Sequence, residues 1–274
     1  MPNRTIYRIF KRGSRTYFYN SIFFPKKIRD DVFILYSFVR KADNMVDSNP
    51  QKVDEFNGFK ENYYKARAGE TTGDIVVDSF SDLVDRKEFD EKWVDSFLGS
   101  MEMDFTKKNY KDFDDLDGYI YGSAEVIGLF MARTLGLRDK SLPHARYLGK
   151  AMQYINFIRD IPEDLNFGRQ YIPMDQLTDR GLATLDYDEV MMNKKGFIDL
   201  VRSQIDVYND WQSYAEKGYK YVPRRLLIPI KNASEMYKWT GKVIRRNPMV
   251  VFKKKVKPSV PRIVLNISYN TLTT

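Results

Sequence analysis

The chain has 274 residues, 43% of them hydrophobic and 30% charged, enough for one large domain with a substantial core and too apolar for a disordered tail. With no cysteine and a single histidine, His144, disulfides, thiolate or multi-histidine metal sites and a cysteine nucleophile are excluded, and a Ser-His-Asp triad could be built only on His144. The net charge of +8 is uneven: residues 217–274 hold 14 Lys and Arg against one acid, Glu235, whereas residues 1–216 hold 31 against 36.

The first fifteen residues, MPNRTIYRIFKRGSR, are basic but have no apolar run behind them, so no secretory signal is expected and the protein is expected inside the cell. The apolar stretch Val32 to Val39 is broken by Ser37 and falls far short of the roughly 20 residues that cross a bilayer. Helical spacing of apolar residues predicts helices over 26–47, 51–68, 90–103, 113–136, 143–165, 187–217 and 223–246. Turn chemistry separates them at Gly69–Gly73, Gly136–Pro143, Gly168–Pro173, Gly218–Pro223 and Asn247-Pro248. The expectation is an all-α, single-domain bundle over 1–274, with 256–274, which contains Pro258 and Pro261, as an extended or irregular tail. The basic C-terminal segment attracts phosphates, whether of lipid headgroups or of a diphosphate substrate; Lys253, Lys254 and Lys255 have no nucleic-acid motif beside them.

Within the first predicted helix, Tyr36, Arg40, Asp43 and Asp47 fall in an arc of about 60° at 100° per residue. Alone, this stripe reads as a solvated face with a helical ion pair. Over 143–165 a second stripe, Gly149, Gln153, Asn156, Asp160 and Asp164, occupies an arc of roughly 80° among apolar neighbours. A polar strip in so apolar a helix needs partners, and two Asp pairs at i, i+4 suit hard divalent cations bridging to phosphates. Pro162 predicts a kink that re-aims Asp164.

The run Gly13-Ser14-Arg-Thr-Tyr17, the first stripe, Tyr119-Ile-Tyr121-Gly-Ser-Ala-Glu-Val-Ile-Gly128, the segment Gln153-Tyr-Ile-Asn156-Phe-Ile-Arg159-Asp160-Ile-Pro-Glu-Asp164 and Arg169-Gln-Tyr171-Ile-Pro173 together resemble the squalene and phytoene synthase family, from about residue 13 to about residue 245. The resemblance implies an isoprenoid-synthase helical bundle around a central cavity, with Mg²⁺, or Mn²⁺ in its place, held on prenyl diphosphates. It implies metal ligation by Asp43, Asp47, Asp160 and Asp164 with Asn156 as companion, and diphosphate binding by Arg40, Arg159, Ser14 and Tyr237. Tyr119, Gln153 and Gly149 match residues lining the upper cavity near the reacting carbons, and Tyr119, Gln153, Asp43 and Asp160 are the expected catalytic set.

Two departures stand out: Glu125 replaces a usual glycine of the third motif, far around the helix from Tyr119, and Asn44 stands where a second consecutive Asp is common. His144, after Pro143, is expected to be structural. The activity implied is Mg-dependent head-to-head prenyl transfer from two geranylgeranyl diphosphates to phytoene through a cyclopropylcarbinyl diphosphate. The alternatives are squalene or dehydrosqualene synthesis from farnesyl diphosphate, with NADPH only for squalene, and a non-catalytic assembly or membrane-binding relative. Without a membrane-spanning anchor, the expected place is the cytoplasm or the inner membrane face, held peripherally to anionic lipid, with no nucleic-acid partner.

Overall fold

Apolar side chains recurring at three- and four-residue intervals build the protein from helices alone; no strand occurs among the residues that the computed structural model describes, 3–13 and 15–273. In chain order these are α1 (Arg4–Gly13), α2 (Arg15–Ser21), α3 (Lys26–Val46), α4 (Val53–Arg67), α5 (Ile75–Lys87), α6 (Glu91–Thr106), α7 (Phe113–Ile120) and α8 (Val126–Thr134). There follow α9 (Leu142–Arg159), α10 (Ile161–Asn166), α11 (Met174–Thr178), α12 (Tyr187–Met192), α13 (Lys194–Glu216), α14 (Arg224–Arg246) and α15 (Val260–Thr273). Asp74, Asp90, Asp112 and Asn193 cap α5, α6, α7 and α13 by accepting backbone N–H bonds, which fixes where those helices start.

The bundle buries two apolar clusters. One draws mainly on α1 to α6 and α8, the other on α7 and α9 to α14. A long cavity lies between them, with residues of both in its wall. No helix among the described residues is long and apolar enough to cross a membrane.

The all-α, single-domain expectation holds, with local differences. The predicted helix 113–136 is α7 and α8 joined by one π-helical stretch, Tyr121–Glu125. The predicted helix 187–217 divides at Asn193, whose side chain caps the second half. Residues 260–273 are helical, not extended: Pro261 sits in the first turn, where a missing N–H costs nothing, and Ile263 and Ile267 are buried one turn apart. Sequence periodicity over 26–246 left out α1, α2, α5 and α11.

The crossing of α9 with the π-helical stretch depends on Gly149, because a Cβ there would lie 2.2 Å from the carbonyl oxygen of Ala124. Gly149→Ala is therefore expected to lower stability by about 1–3 kcal/mol. Gly58→Ala, inside α4 with open space around it, is expected to be neutral or stabilising by about 0.5–1 kcal/mol. Thermal melts of the pair check this; equal melting temperatures would show that the helices can separate at no cost.

Candidate active site

The cavity has a volume of about 1090 Å³ and is apolar along its length and charged at one end. Phe10, Leu35, Val39, Ile127, Met131 and Leu148 are among its apolar lining. The charged end takes Arg40, Asp43 and Asp47 from α3, Asn156 and Arg159 from α9, and Asp160 and Asp164 from the junction with α10. Gln153, Gly149, Tyr119 and Tyr237 also line it, so every described residue given a site role from the sequence faces one space; Ser14 lies outside the described residues.

Pro162 does more than kink the helix. It ends α9, and the chain restarts as α10 at Ile161 with the proline in its first turn. The Asp160 carbonyl accepts from the N–H groups of Glu163 and Asp164, at 2.8 and 2.9 Å, so the turn delivers both carboxylates to the cavity. Glu125 faces away, as its helical position predicts: it is buried against Arg146 at 2.6 Å and Lys150 at 3.4 Å of α9. His144 is structural, its Nδ1 3.0 Å from the carbonyl of Tyr214.

The two carboxylate pairs are electrostatically uncomfortable. Burial, and then the charge of Asp47, push the Asp43 carboxyl up to about 7, although Arg40 approaches it at 3.9 Å. Burial, followed by Asp160 and Asp47, raises Asp164 well above the usual carboxylate range. Asp160 is better compensated, since Arg159 Nε donates to it at 2.8 Å and Lys255 stands 3.3 Å away. Asn156 Oδ1 is buried without a hydrogen-bond partner, while its amide nitrogen makes only a 3.4 Å bond to Gln153. Converging oxygen donors, an orphaned amide oxygen and carboxylates that raise one another's protonation fit a hard divalent cation. Among the described residues no three acidic or imidazole groups form a cage for one ion by themselves. The arrangement therefore fits Mg²⁺, which keeps water or substrate oxygens in its remaining positions.

Sequence reasoning missed a second charged group behind these residues. Asp104, at the end of α6 and 3% exposed, accepts from the Tyr119 hydroxyl at 2.9 Å and the Tyr171 hydroxyl at 2.8 Å. Burial raises its carboxyl to about 6. Arg169, also 3% exposed, donates to Asp47 at 2.9 Å and to the Val46 carbonyl at 2.5 Å, and lies 3.9 Å from Asp104. Tyr119 thus belongs to a buried polar chain, Tyr119–Asp104–Arg169–Asp47, that ends on the first carboxylate stripe. The signal was present: Asp104 lies three and seven residues after Met101 and Phe97, on the apolar face of its helix. Tyr237 donates to the Tyr17 hydroxyl at 3.0 Å. Of the basic run, Lys255 is committed to Glu163 and Asp160, at the site itself.

The sequence pattern of the family described as squalene/phytoene synthase matches residues 10–262. Curated relatives named 15-cis-phytoene synthase include one from Paracoccus sp. (strain N81106 / MBIC 01143), 26% identical over 258 residues, 90% of this chain and 84% of that protein. Another, from Enterobacter agglomerans, is 25% identical over 266 residues, 91% of this chain and 88% of the relative. In fold, the chain is similar to a crystal structure of a dehydrosqualene synthase in complex with ligand, with a TM-score of 0.85, 20% identity, and coverage of 98% of this chain and 95% of that one. A squalene synthase from Alicyclobacillus acidocaldarius gives a TM-score of 0.78 at 22% identity, over 88% and 92% of the two chains.

Proposed function

The chain belongs to the squalene/phytoene synthase family, and from that premise we propose that it joins two prenyl diphosphates head to head, with geranylgeranyl diphosphate as substrate and phytoene as product. The observation that carries this reading is one cavity with two Asp pairs, two arginines and an orphaned amide at its charged end and apolar walls behind them. Its volume of about 1090 Å³ lies at the top of the usual range for small-molecule sites, as two long chains require. The relatives named phytoene synthase favour the longer substrate. Farnesyl diphosphate, giving squalene or dehydrosqualene, is the second reading, favoured by the fold likeness to a dehydrosqualene synthase.

Asp43, Asp47, Asn156, Asp160 and Asp164 would hold Mg²⁺. Bound there, the ion supplies charge that offsets the diphosphate as it departs. Arg40 and Arg159 present guanidinium groups to the same phosphates and stabilise the leaving charge. Tyr171 stacks on Phe157 and on Tyr119 with centroids 4.2 and 5.2 Å apart, Tyr119 is tilted to Phe157 at 6.2 Å, and all three line the cavity next to this end. Their ring faces attract the allylic cation left behind, and the apolar wall keeps water from quenching it. Tyr119 and Tyr171 both give their hydroxyl protons to Asp104, which leaves lone pairs of those oxygens for a passing cation. A scaffold would have no physical use for carboxylates as poorly compensated as Asp43 and Asp164, which disfavours a non-catalytic role.

Incubation with Mg²⁺ and either farnesyl or geranylgeranyl diphosphate, with and without NADPH, followed by hydrocarbon extraction, tests the proposal. Phytoene from geranylgeranyl diphosphate without NADPH is expected; no hydrocarbon from either substrate would overturn it. Tyr119→Phe removes one of the hydroxyls on Asp104 and is expected to slow turnover roughly ten- to thirtyfold, about 1.4–2 kcal/mol of barrier. Its dependence on Mg²⁺ should change little, and an unaltered rate and product would make Tyr119 purely structural.

A further inference from the structure

The outer face of α15 departs from the rest of the surface. Residues 263–274 contain no charged side chain in a protein that is 30% charged. Ile263, Ile267 and Asn270 face inward, and the opposite side shows Val264, Leu265, Tyr269 and Leu272, with Leu265 71% and Leu272 83% exposed. A helix docked on a soluble protein normally turns charge outward; beyond Arg262, α15 turns none. Asn232 of α14 ties Asn20 at the end of α2 to the backbone of Ile263 and the side chain of Asn266. The turn that follows Asn20 exposes Ile22 and Phe23 at the end of α2, the helix that packs against α15.

Exposed basic residues surround this face. Lys26 and Lys27 are exposed at the start of α3, three and four residues after Phe23. Arg262, at the start of α15, lies 4.7 Å over the Trp239 ring, while Asn266 and Asn270 reach Glu235, one turn earlier in α14. We propose that α15 and the Ile22–Phe23 turn form the membrane-docking face, inserting their apolar side chains into an anionic bilayer while the surrounding cations meet its headgroups. The charge selects this occupant: a second copy would set one basic rim against another, whereas anionic lipid neutralises it.

The same elements reach the cavity. Ser21 and Phe24, on either side of the exposed turn, and Ile230 and Ala233 of α14 line its wall. A bilayer held on this face would lie next to the apolar part of the site, where long hydrocarbon chains must enter and leave. That consequence rests on the proposed function; the docking itself is measured without turnover.

The full chain is sedimented with phosphatidylglycerol–phosphatidylcholine vesicles and with phosphatidylcholine vesicles, at low and high salt. The Leu265→Ser/Leu272→Ser variant, altered only at outward positions, is expected to bind the anionic vesicles at least about tenfold more weakly. Lys26→Gln/Lys27→Gln/Arg262→Gln is expected to lose most of the preference for anionic vesicles and most of the salt dependence. Both variants should keep normal circular dichroism and normal rates on detergent-dispersed substrate. Failure of the wild type to bind vesicles, binding indifferent to the leucine substitutions, or a wild-type dimer in solution that those substitutions dissolve would overturn the proposal.

Discussion

Asp43→Asn and Asp160→Asn are each expected to reduce turnover by at least about 10³-fold, the scale on which removal of a group that stabilises developing charge acts. The two variants should part company in stability. Asp43 is held beside Asp47 with Arg40, 3.9 Å away, and Arg169 in partial compensation, and burial has pushed its carboxyl up to about 7. Its charged form therefore opposes folding at neutral pH and above, and an amide there should stabilise the metal-free protein by about 1–2 kcal/mol once partial exposure to the cavity is allowed for. Asp160 accepts from Arg159 at 2.8 Å and stands 3.3 Å from Lys255, so an amide strands the buried Arg159, while Lys255 keeps Glu163, and should lower the melting temperature. Rates and metal-free melts of both variants provide the check. Near-normal turnover in either would remove that carboxylate from the site, and a loss of stability in Asp43→Asn would mean that its charge is satisfied by the protein alone. Such a gain in stability with a loss of activity is what a site built for an absent positive charge shows.

How far the site was legible depends on how each residue reaches it. Asp43 and Asp47, and Asn156 and Asp160, project from single helices, so a spacing of four places each pair on one side before any tertiary structure is known. Their convergence follows from packing, and only the cavity shows it. Asp164 was legible as part of a stripe but is delivered by the break at Pro162, with a new helix starting one residue after Asp160. Asp104 escaped, and Arg169 stood only within a motif, without a role, because their meaning lies in contacts across 65 and 122 residues of chain, 3.9 Å to one another and 2.9 Å from Arg169 to Asp47. The carboxylate on the apolar side of α6 was a readable anomaly, since a buried acid requires a partner. The helix α15 was obscured by its prolines: Pro258 and Pro261 argue against helix unless they fall before it and in its first turn, as they do here.

Arg169→Leu is the substitution expected to damage both stability and function most. The guanidinium is 3% exposed and bonds the Asp47 carboxylate at 2.9 Å and the Val46 carbonyl at the end of α3 at 2.5 Å, with Asp104 3.9 Å away. Without it, Asp104 keeps its two tyrosine donors but loses its positive neighbour, and the Val46 carbonyl loses the bond from Arg169. Breaking a buried pair from one side costs about 3–5 kcal/mol; the Asp47 arm adds little, because that side chain is 45% exposed. Adding Asp104→Asn should recover part of the loss, since it removes the stranded charge, and the double variant should be more stable than the sum of the single effects. Arg169 also holds Asp47, with both lining the cavity, as an outer partner that orients a metal ligand does. Its loss should therefore raise the Mg²⁺ concentration needed for half-maximal activity by about 10–100-fold in whatever fraction stays folded. Denaturant melts of the four members of the Arg169/Asp104 cycle, with Mg²⁺ titrations of activity in the folded ones, separate the two effects. Strict additivity would show that the two side chains act independently, and an unchanged Mg²⁺ requirement would show that Asp47 finds its place without Arg169.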